Sequence, residues 1–168
     1  MDVFEAVRTV LAVREYQDRP VPPEVIRKIV EAAHLTGSSM NAQPWRFVVV
    51  EDREMLKKLG AAARSGPYTA GAAFAVVVGH EPSRFGMSDC SRAVQSMALT
   101  AWEEGVGSNW VGFGGLEAVN ELLGIPTEIE VVAIVPFGYP VKKLGKGKKK
   151  RLPIGEVVRK ERWNQPFE

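Results

Sequence analysis

The chain has few of the residues that build disulfides and metal centres. It contains one cysteine, Cys90, and two widely separated histidines, His34 and His80. A single cysteine excludes an internal disulfide and any multi-cysteine metal site. The histidines have neither an HxxxH spacing nor a nearby carboxylate pattern, so we expect no metal centre. Cys90 has no visible partner base and is interpreted as a small core residue.

Long apolar runs are also absent. No stretch of about 18 apolar residues occurs, and this argues against a membrane-spanning helix. The first five residues, MDVFE, lack the basic-then-apolar pattern of a secretory signal. We therefore expect a cytoplasmic protein without membrane association. The 168 residues are 45% hydrophobic and 25% charged, which is typical of a globular protein with a single domain, 1–168.

Positive charge is unevenly distributed along the chain. The formal net charge is only +2, yet basic residues cluster between Lys142 and Arg151. Such a run is often a solvated loop, but clustered cations also bind phosphate, and basic stretches bind nucleic acid. No aromatic residue interleaves with these lysines, which disfavours stacking on a single-stranded nucleic acid. Composition alone leaves the choice between a ligand phosphate and a solvated loop open.

The hydrophobic pattern predicts alternating helices and short strands. Helices are predicted over residues 2–13, 22–34, 52–63, 88–104 and 116–123, the fourth capped by Ser88 or Asp89. Short apolar runs predict strands over residues 45–50, 74–78, 109–111 and 131–136. Such an alternation around one core predicts a layered sheet covered by helices.

The C-terminal segment is too apolar for a free end. Residues 154–168 carry Ile154, Val157, Val158, Trp163 and Phe167, although the core elements are already complete. Packing on a partner subunit would bury this segment. Packing back on its own subunit is the equally simple alternative.

Four motifs follow one another over nearly the whole chain. Residues 14–16, REY, and 20–21, PV, form an R-x-[FY]…P-V segment, and residues 38–47, SSMNAQPWRF, read S-x-x-N-x-Q-P-W-x-F. Residues 89–110 read as a D-x-x-x-A-x-Q-x-x-x-L helix that ends in G-x-G-x-x-W, and residues 137–153 as F-G-x-P…K-x-R-x-P. In content and in order, this set resembles the nitroreductase family.

This resemblance implies both a fold and an activity. The implied fold is of the α+β class, a three-layer α-β-α sandwich with a mixed, mostly antiparallel sheet flanked by helices. Its C-terminal arm, 154–168, would be exchanged in a homodimer. The implied activity is that of an FMN-dependent oxidoreductase that passes hydride from NADH or NADPH to a nitroaromatic, a quinone or a similar small-molecule oxidant. Reductive dehalogenation and flavin fragmentation are related alternatives, and no catalytic side chain is predicted because the flavin does the chemistry.

Three cations are the candidate ligands of the FMN phosphate. Lys149 and Arg151 are two residues apart, so in an extended segment they project to the same side and can hold one phosphate. The resemblance assigns them that role and implies that Arg14 is a further cationic contact. A solvated basic loop is the alternative for Lys149 and Arg151.

Polar and glycine residues are the candidate contacts of the rest of the flavin. The resemblance places Ser38 and Asn41 near the ribityl chain and ring, reached from the partner subunit. Gln43, Pro44 and Trp45 are expected to fix that loop on the first strand. Gly112 and Gly114 would let the main chain approach the ring. The alternatives are a loop held by its own hydrogen bonds and a plain turn.

The sequence departs from the family at three positions that normally serve the phosphate and ring. Val10, Leu11 and Ala12 stand where the family usually has Arg-Arg-Ser. Either the basic run compensates, or the flavin binds weakly. The rival hypothesis from another class is a non-catalytic module that retains the fold and binds nucleic acid or another anion through the basic segment.

Overall fold

The computed structural model describes residues 1–112, 116–142 and 149–167. Helices and strands alternate through this part of the chain. In chain order the elements are α1 (Val3–Thr9), α2 (Pro23–His34), β1 (Trp45–Val50), α3 (Arg53–Ala62), β2 (Phe74–His80), α4 (Gly86–Glu103), β3 (Gly107–Ser108), α5 (Glu117–Leu123), β4 (Glu130–Gly138) and α6 (Ile154–Val157). Short 3-10 turns at Ser39–Asn41 and Pro67–Gly71 precede β1 and β2.

The strands form one sheet in the order β1-β2-β4-β3, and every neighbouring pair is antiparallel. At the β3 edge, the backbone N–H of Val13 donates to the carbonyl oxygen of Ser108 at 2.9 Å. Ala12 forms an isolated parallel bridge with Ser108 there. The segment after α1 therefore extends the sheet edge, and the prediction of a mostly antiparallel sheet is confirmed.

The central strand β2 separates two apolar layers. Phe74, Val76 and Val78 pack in one cluster with residues of α2 and α4. Ala75 and Val77 pack in a second cluster with residues of α3 and α5. Since successive side chains of a strand point to opposite faces, one buried strand supplies both cores. The α+β class and the three-layer α-β-α arrangement are confirmed.

Local sequence rules explain several of these boundaries. Pro23 occupies the first turn of α2, where its missing N–H costs nothing. The Asp52 carboxylate accepts a hydrogen bond from the backbone N–H of Met55 at 2.8 Å and caps α3. Gly105 follows the C-terminal end of α4 with a φ of 74°, a left-handed conformation that glycine adopts readily. These three predictions are confirmed.

The largest differences from the prediction are at two helix boundaries and one strand, and β2 and β4 also extend beyond their predicted ranges. The first helix ends at Thr9 instead of residue 13, because the next residues turn to pair with β3. The α4 helix begins at Gly86, and neither Ser88 nor Asp89 caps it. The third strand covers residues 107–108 instead of 109–111. For Asp89 a tertiary contact replaces the local preference, because its carboxylate binds Ser39.

The interpretation of Cys90 as a core residue is confirmed. Its side chain is fully buried, and its thiol lies 3.5 Å from the carbonyl oxygen of Gly79. Burial, with smaller contributions from Asp89 and Glu130, raises the pKa of the Cys90 thiol to about 12. A thiol in this environment stays protonated at neutral pH and is a poor nucleophile.

Apolar side chains remain exposed at both ends of the chain. On α1, Val3 and Phe4 are each 76% exposed. In the C-terminal segment, Ile154, Val157 and Trp163 are exposed, so packing back on the same subunit does not bury them. No helix within the described ranges is both long enough and apolar enough to cross a membrane.

Candidate functional site

An open cavity of about 650 Å³ lies between the end of α1, one side of α4, strand β3 and the segment that follows residue 148. This volume falls within the range of roughly 300–1,000 Å³ that is common for small-molecule sites. Its apolar wall comes from Val7, Val10, Leu11, Ala12, Val94, Ala98 and Val135. Its polar and charged groups come from α4, from residues 108–109 and from residues 149 and 151.

Two cations line this cavity. The Lys149 ammonium donates to the carbonyl oxygen of Val7, near the C-terminal end of α1, at 2.6 Å. Burial lowers the pKa of Lys149, and the charge of Arg151 lowers it further. The two side chains therefore share one cavity, as their spacing predicts, while Lys150 between them is exposed and is not among the described lining residues. A bound anion would relieve the repulsion between the two positive charges.

Hydrogen-bonding side chains line the adjoining wall. Ser91 and Gln95 are four residues apart on α4 and therefore lie on one face of that helix. Ser108 and Asn109 contribute from β3 and the residue after it. Neither Gln95 nor Asn109 is among the site residues predicted from the sequence, although Gln95 is the glutamine of the A-x-Q motif.

Arg14 does not line this cavity in the described part of the chain. Its guanidinium carbon lies 5.9 Å from the centre of the Tyr68 ring. The Tyr68 hydroxyl in turn accepts a hydrogen bond from the Asn109 amide nitrogen. Among the described residues, Arg14 is thus connected to the cavity wall through Tyr68 and Asn109.

Ser38 and Asn41 lie on a loop away from the cavity of their own chain. The Ser38 hydroxyl oxygen accepts a hydrogen bond from the backbone N–H of Gln43 at 3.0 Å. The Asn41 side chain is exposed, and its amide oxygen accepts from the Gln43 amide at 3.3 Å. At the end of this loop Trp45 is only 5% exposed and packs in the α2–α4 core cluster, which confirms its predicted core position.

A neighbouring side chain restricts position 112 to glycine. A Cβ atom at this position would lie 2.3 Å from the indole nitrogen of Trp110, so any larger residue would clash. Gly112 lines a separate depression together with Glu117 and Asn120. Gly114, the second predicted glycine, lies outside the described residues.

The three departures from the family pattern face the cavity. Val10, Leu11 and Ala12 all line it. The positive charge of the described wall therefore comes from Lys149 and Arg151. The lining combines two cations with hydrogen-bonding and apolar side chains, which suits a ligand that has both an anionic and an apolar part.

Comparison with known proteins shows the same family from sequence and from structure. The model of the Nitroreductase family matches residues 8–83 and 67–139. A protein of Archaeoglobus fulgidus is 40% identical over 149 residues, covering 83% of this chain and 86% of the relative. A protein of Methanothermobacter thermautotrophicus is 37% identical over 154 residues, covering 86% and 81%. Both carry the provisional name NADH dehydrogenase/NAD(P)H nitroreductase.

Solved structures resemble the whole fold. The FMN-dependent nitroreductase of Clostridium difficile R20291 superposes with a TM-score of 0.86 at 25% identity, covering 96% of this chain and 100% of that one. A nitroreductase family protein of Clostridium difficile 630 gives a TM-score of 0.87 at 28% identity, covering 96% and 99%.

Proposed function

Because the chain belongs to the nitroreductase family, we propose that it is an FMN-dependent oxidoreductase that uses NADH or NADPH to reduce a small oxidant. A nitroaromatic or a quinone is the proposed oxidant class. The observation that supports this proposal is that Lys149, Arg151 and polar side chains of α4 line one cavity.

The residues of this cavity fit the chemical parts of FMN. A phosphate needs cations, a ribityl chain needs amide or hydroxyl groups, and an isoalloxazine ring needs an apolar surface. Lys149 and Arg151 supply the first. Gln95, Ser108 and Asn109 are suited to the second, and the apolar wall to the third.

The chain's own contribution is to bind and orient the cofactor. Lys149 would exchange its hydrogen bond with the Val7 carbonyl for a charge-assisted one with the phosphate. Asn109 is held by Tyr68, so its amide is oriented before a ligand arrives. When bound, FMN would supply the two-electron chemistry. The only titratable side chains on the described wall are Lys149 and Arg151, so we assign no general acid or base.

The subunit arrangement is part of the proposal. The exposed apolar face of α1 and the exposed segment 154–167 would be covered together in a homodimer. Ser38 and Asn41, which do not line the described cavity of their own chain, would then contact the flavin held by the other subunit. We also propose that residues 1–168 form a single domain and that the protein is cytoplasmic.

An absorption spectrum of the purified protein, followed by titration of stripped protein with FMN, tests the cofactor assignment. We expect flavin absorbance bands, or their appearance on titration, and oxidation of NADH or NADPH that depends on an added nitroaromatic or quinone. A colourless protein that binds no added FMN would overturn the proposal. Binding of nucleic acid by such a protein would instead favour the non-catalytic module.

A further inference from the structure

The carboxylate of Asp89 is completely buried near the start of α4. Its oxygens accept the backbone N–H of Ser39 at 3.1 and 3.2 Å and the Ser39 hydroxyl at 3.1 Å. The Arg92 guanidinium lies 3.4 Å away, with a side chain that is 54% exposed. Burial of a carboxylate is unfavourable unless its oxygens are hydrogen-bonded, so the Ser39 contacts are needed for Asp89 to occupy this position.

The loop held by Asp89 has an unusual backbone. Met40, Asn41 and Gln43 have φ values of 54°, 54° and 50°, in the left-handed region that non-glycine residues rarely adopt. A local run of such residues persists only where surrounding contacts impose it. Within the loop, the Gln43 N–H donates to the Ser38 hydroxyl and the Asn41 N–H donates to the Ser38 carbonyl oxygen. From outside it, Asp89 binds Ser39 and the Arg46 guanidinium donates to the Gln43 carbonyl oxygen, so Asp89 is the buried anchor among several contacts.

The same helix serves the loop and the cavity. Asp89 holds Ser39, while Ser91 and Gln95, further along α4, line the cavity. A rigid helix therefore fixes the loop relative to the cofactor wall of its own subunit. In a two-fold dimer this helix would also link the loop that serves one flavin to the wall that serves the other.

We propose that Asp89 is a positioning residue that fixes the loop 38–43, so that Ser38 and Asn41 are presented to a flavin. This inference rests on the proposed function for the flavin, but the contact between Asp89 and the loop stands independently of it. Asp89 itself acts through Ser39 and does not line the described cavity.

The test compares four variants with the wild type. Asp89→Ala removes every acceptor for Ser39, whereas Asp89→Asn keeps one oxygen in place. Ser39→Ala removes only the hydroxyl contact and serves as the milder variant if Asp89→Ala disturbs folding. Arg92→Ala is the matched control, since it removes the ion pair and leaves the loop contacts intact. Amide hydrogen exchange of residues 38–43, with β2 as internal reference, is measured beside FMN affinity and steady-state kinetics at saturating FMN.

We expect Asp89→Ala to raise loop exchange relative to β2 and to weaken FMN binding, each by about tenfold or more, since it removes hydrogen bonds to a charged group. Asp89→Asn should restore FMN affinity to within about threefold of wild type, because its amide oxygen still accepts from Ser39. Ser39→Ala should shift both readouts in the same direction by less, and Arg92→Ala should match the wild type. At saturating FMN, Asp89→Ala should lower kcat more than Asp89→Asn does.

Two results would overturn the inference. Unchanged loop exchange in both Asp89→Ala and Ser39→Ala would show that the carboxylate does not hold the loop. Released loop exchange with wild-type FMN affinity and kcat would show that the loop does not serve the flavin. If the wild type itself binds no FMN, the proposed function fails together with the flavin role of Asp89, while hydrogen exchange still decides whether Asp89 holds the loop.

Discussion

At the scale of single residues, Arg151 offers a direct test of the phosphate contact. Arg151→Ala should weaken FMN binding about ten- to a hundredfold, because a hydrogen bond to a charged group contributes roughly 1.5–3 kcal/mol. Riboflavin lacks the phosphate, so its affinity should not change. Fluorescence titration of stripped protein with both ligands measures the difference.

The neighbouring Lys150 is the matched control for this substitution. It is exposed and is not among the described residues that line the cavity, so Lys150→Ala should bind FMN as the wild type does. Equal losses in Lys150→Ala and Arg151→Ala would indicate a diffuse effect of charge. An unchanged FMN affinity in Arg151→Ala would contradict the assignment.

Val10 allows the opposite experiment, because it faces the cavity at a position where the family usually has arginine. Val10→Arg should tighten FMN binding by about tenfold, since it adds a cation beside Lys149 and Arg151. Val10→Leu retains an apolar wall and is the control for side-chain size. A gain that appears equally for riboflavin would show that the new arginine does not act on the phosphate.

At the scale of structural elements, local rules predicted the parts of the fold that depend on neighbours in sequence. The start of α2 follows from Pro23, and the cap of α3 follows from Asp52. Apolar runs rich in β-branched residues identify β1 and β2, because an apolar run between turn residues leaves few alternatives. All of β2 is buried, whereas in β1, at the sheet edge, only Trp45 and Val50 are. The fold class followed from the order of these elements and from the family motifs.

Long-range contacts explain the parts that local rules missed. Asp89 has the residue type of a helix cap, but its carboxylate binds Ser39, fifty residues earlier in sequence. The helical pattern of α1 continues past Thr9, yet pairing of Val13 with Ser108 ends the helix there. Asn109 joined the candidate site only through its place beside β3. No periodicity or spacing in the sequence reports such contacts.

The loop and strand around Trp45 predict contrasting effects of two substitutions. Trp45→Ala should reduce the free energy of unfolding by about 3–5 kcal/mol, because it removes a large side chain from the core. Asn41→Ala should cost the flavin-free protein much less, about 1 kcal/mol, since this side chain is exposed and the cost comes from placing alanine at a φ of 54°. Urea denaturation measures the first effect, and FMN titration of Asn41→Ala tests its contact with the flavin. A large loss of stability in Asn41→Ala, with little loss in Trp45→Ala, would contradict the core position of Trp45 and the flavin contact of Asn41.

At the scale of the whole molecule, the exposed apolar surface and the candidate site point to the same assembly. The α1 face ends at Thr9, next to Val10 and Leu11 on the cavity wall. The C-terminal segment begins just after Arg151, which lines the same cavity. A partner that covers both surfaces would therefore also close the cavity. A two-fold interface covers the same surfaces on both subunits at once, and this is the commonest symmetry of homo-oligomers.

Truncation after Pro153 tests this assembly and its link to the cofactor. The shortened chain lacks Trp163 and the other exposed apolar residues of the segment, so we expect a weaker dimer, an unstable monomer and weaker FMN binding. Sedimentation velocity at several protein concentrations, together with FMN titration, measures both effects. Trp163→Ala in the full chain is the milder companion, because it removes one side chain that is 86% exposed in the isolated subunit. It should weaken the dimer, and FMN binding with it, by less than the truncation does. Lys149 and Arg151 remain present in both variants, so any loss of FMN affinity has to come from the missing interface. A truncated chain that stays folded and monomeric and binds FMN like the full chain would show that assembly and cofactor site are independent.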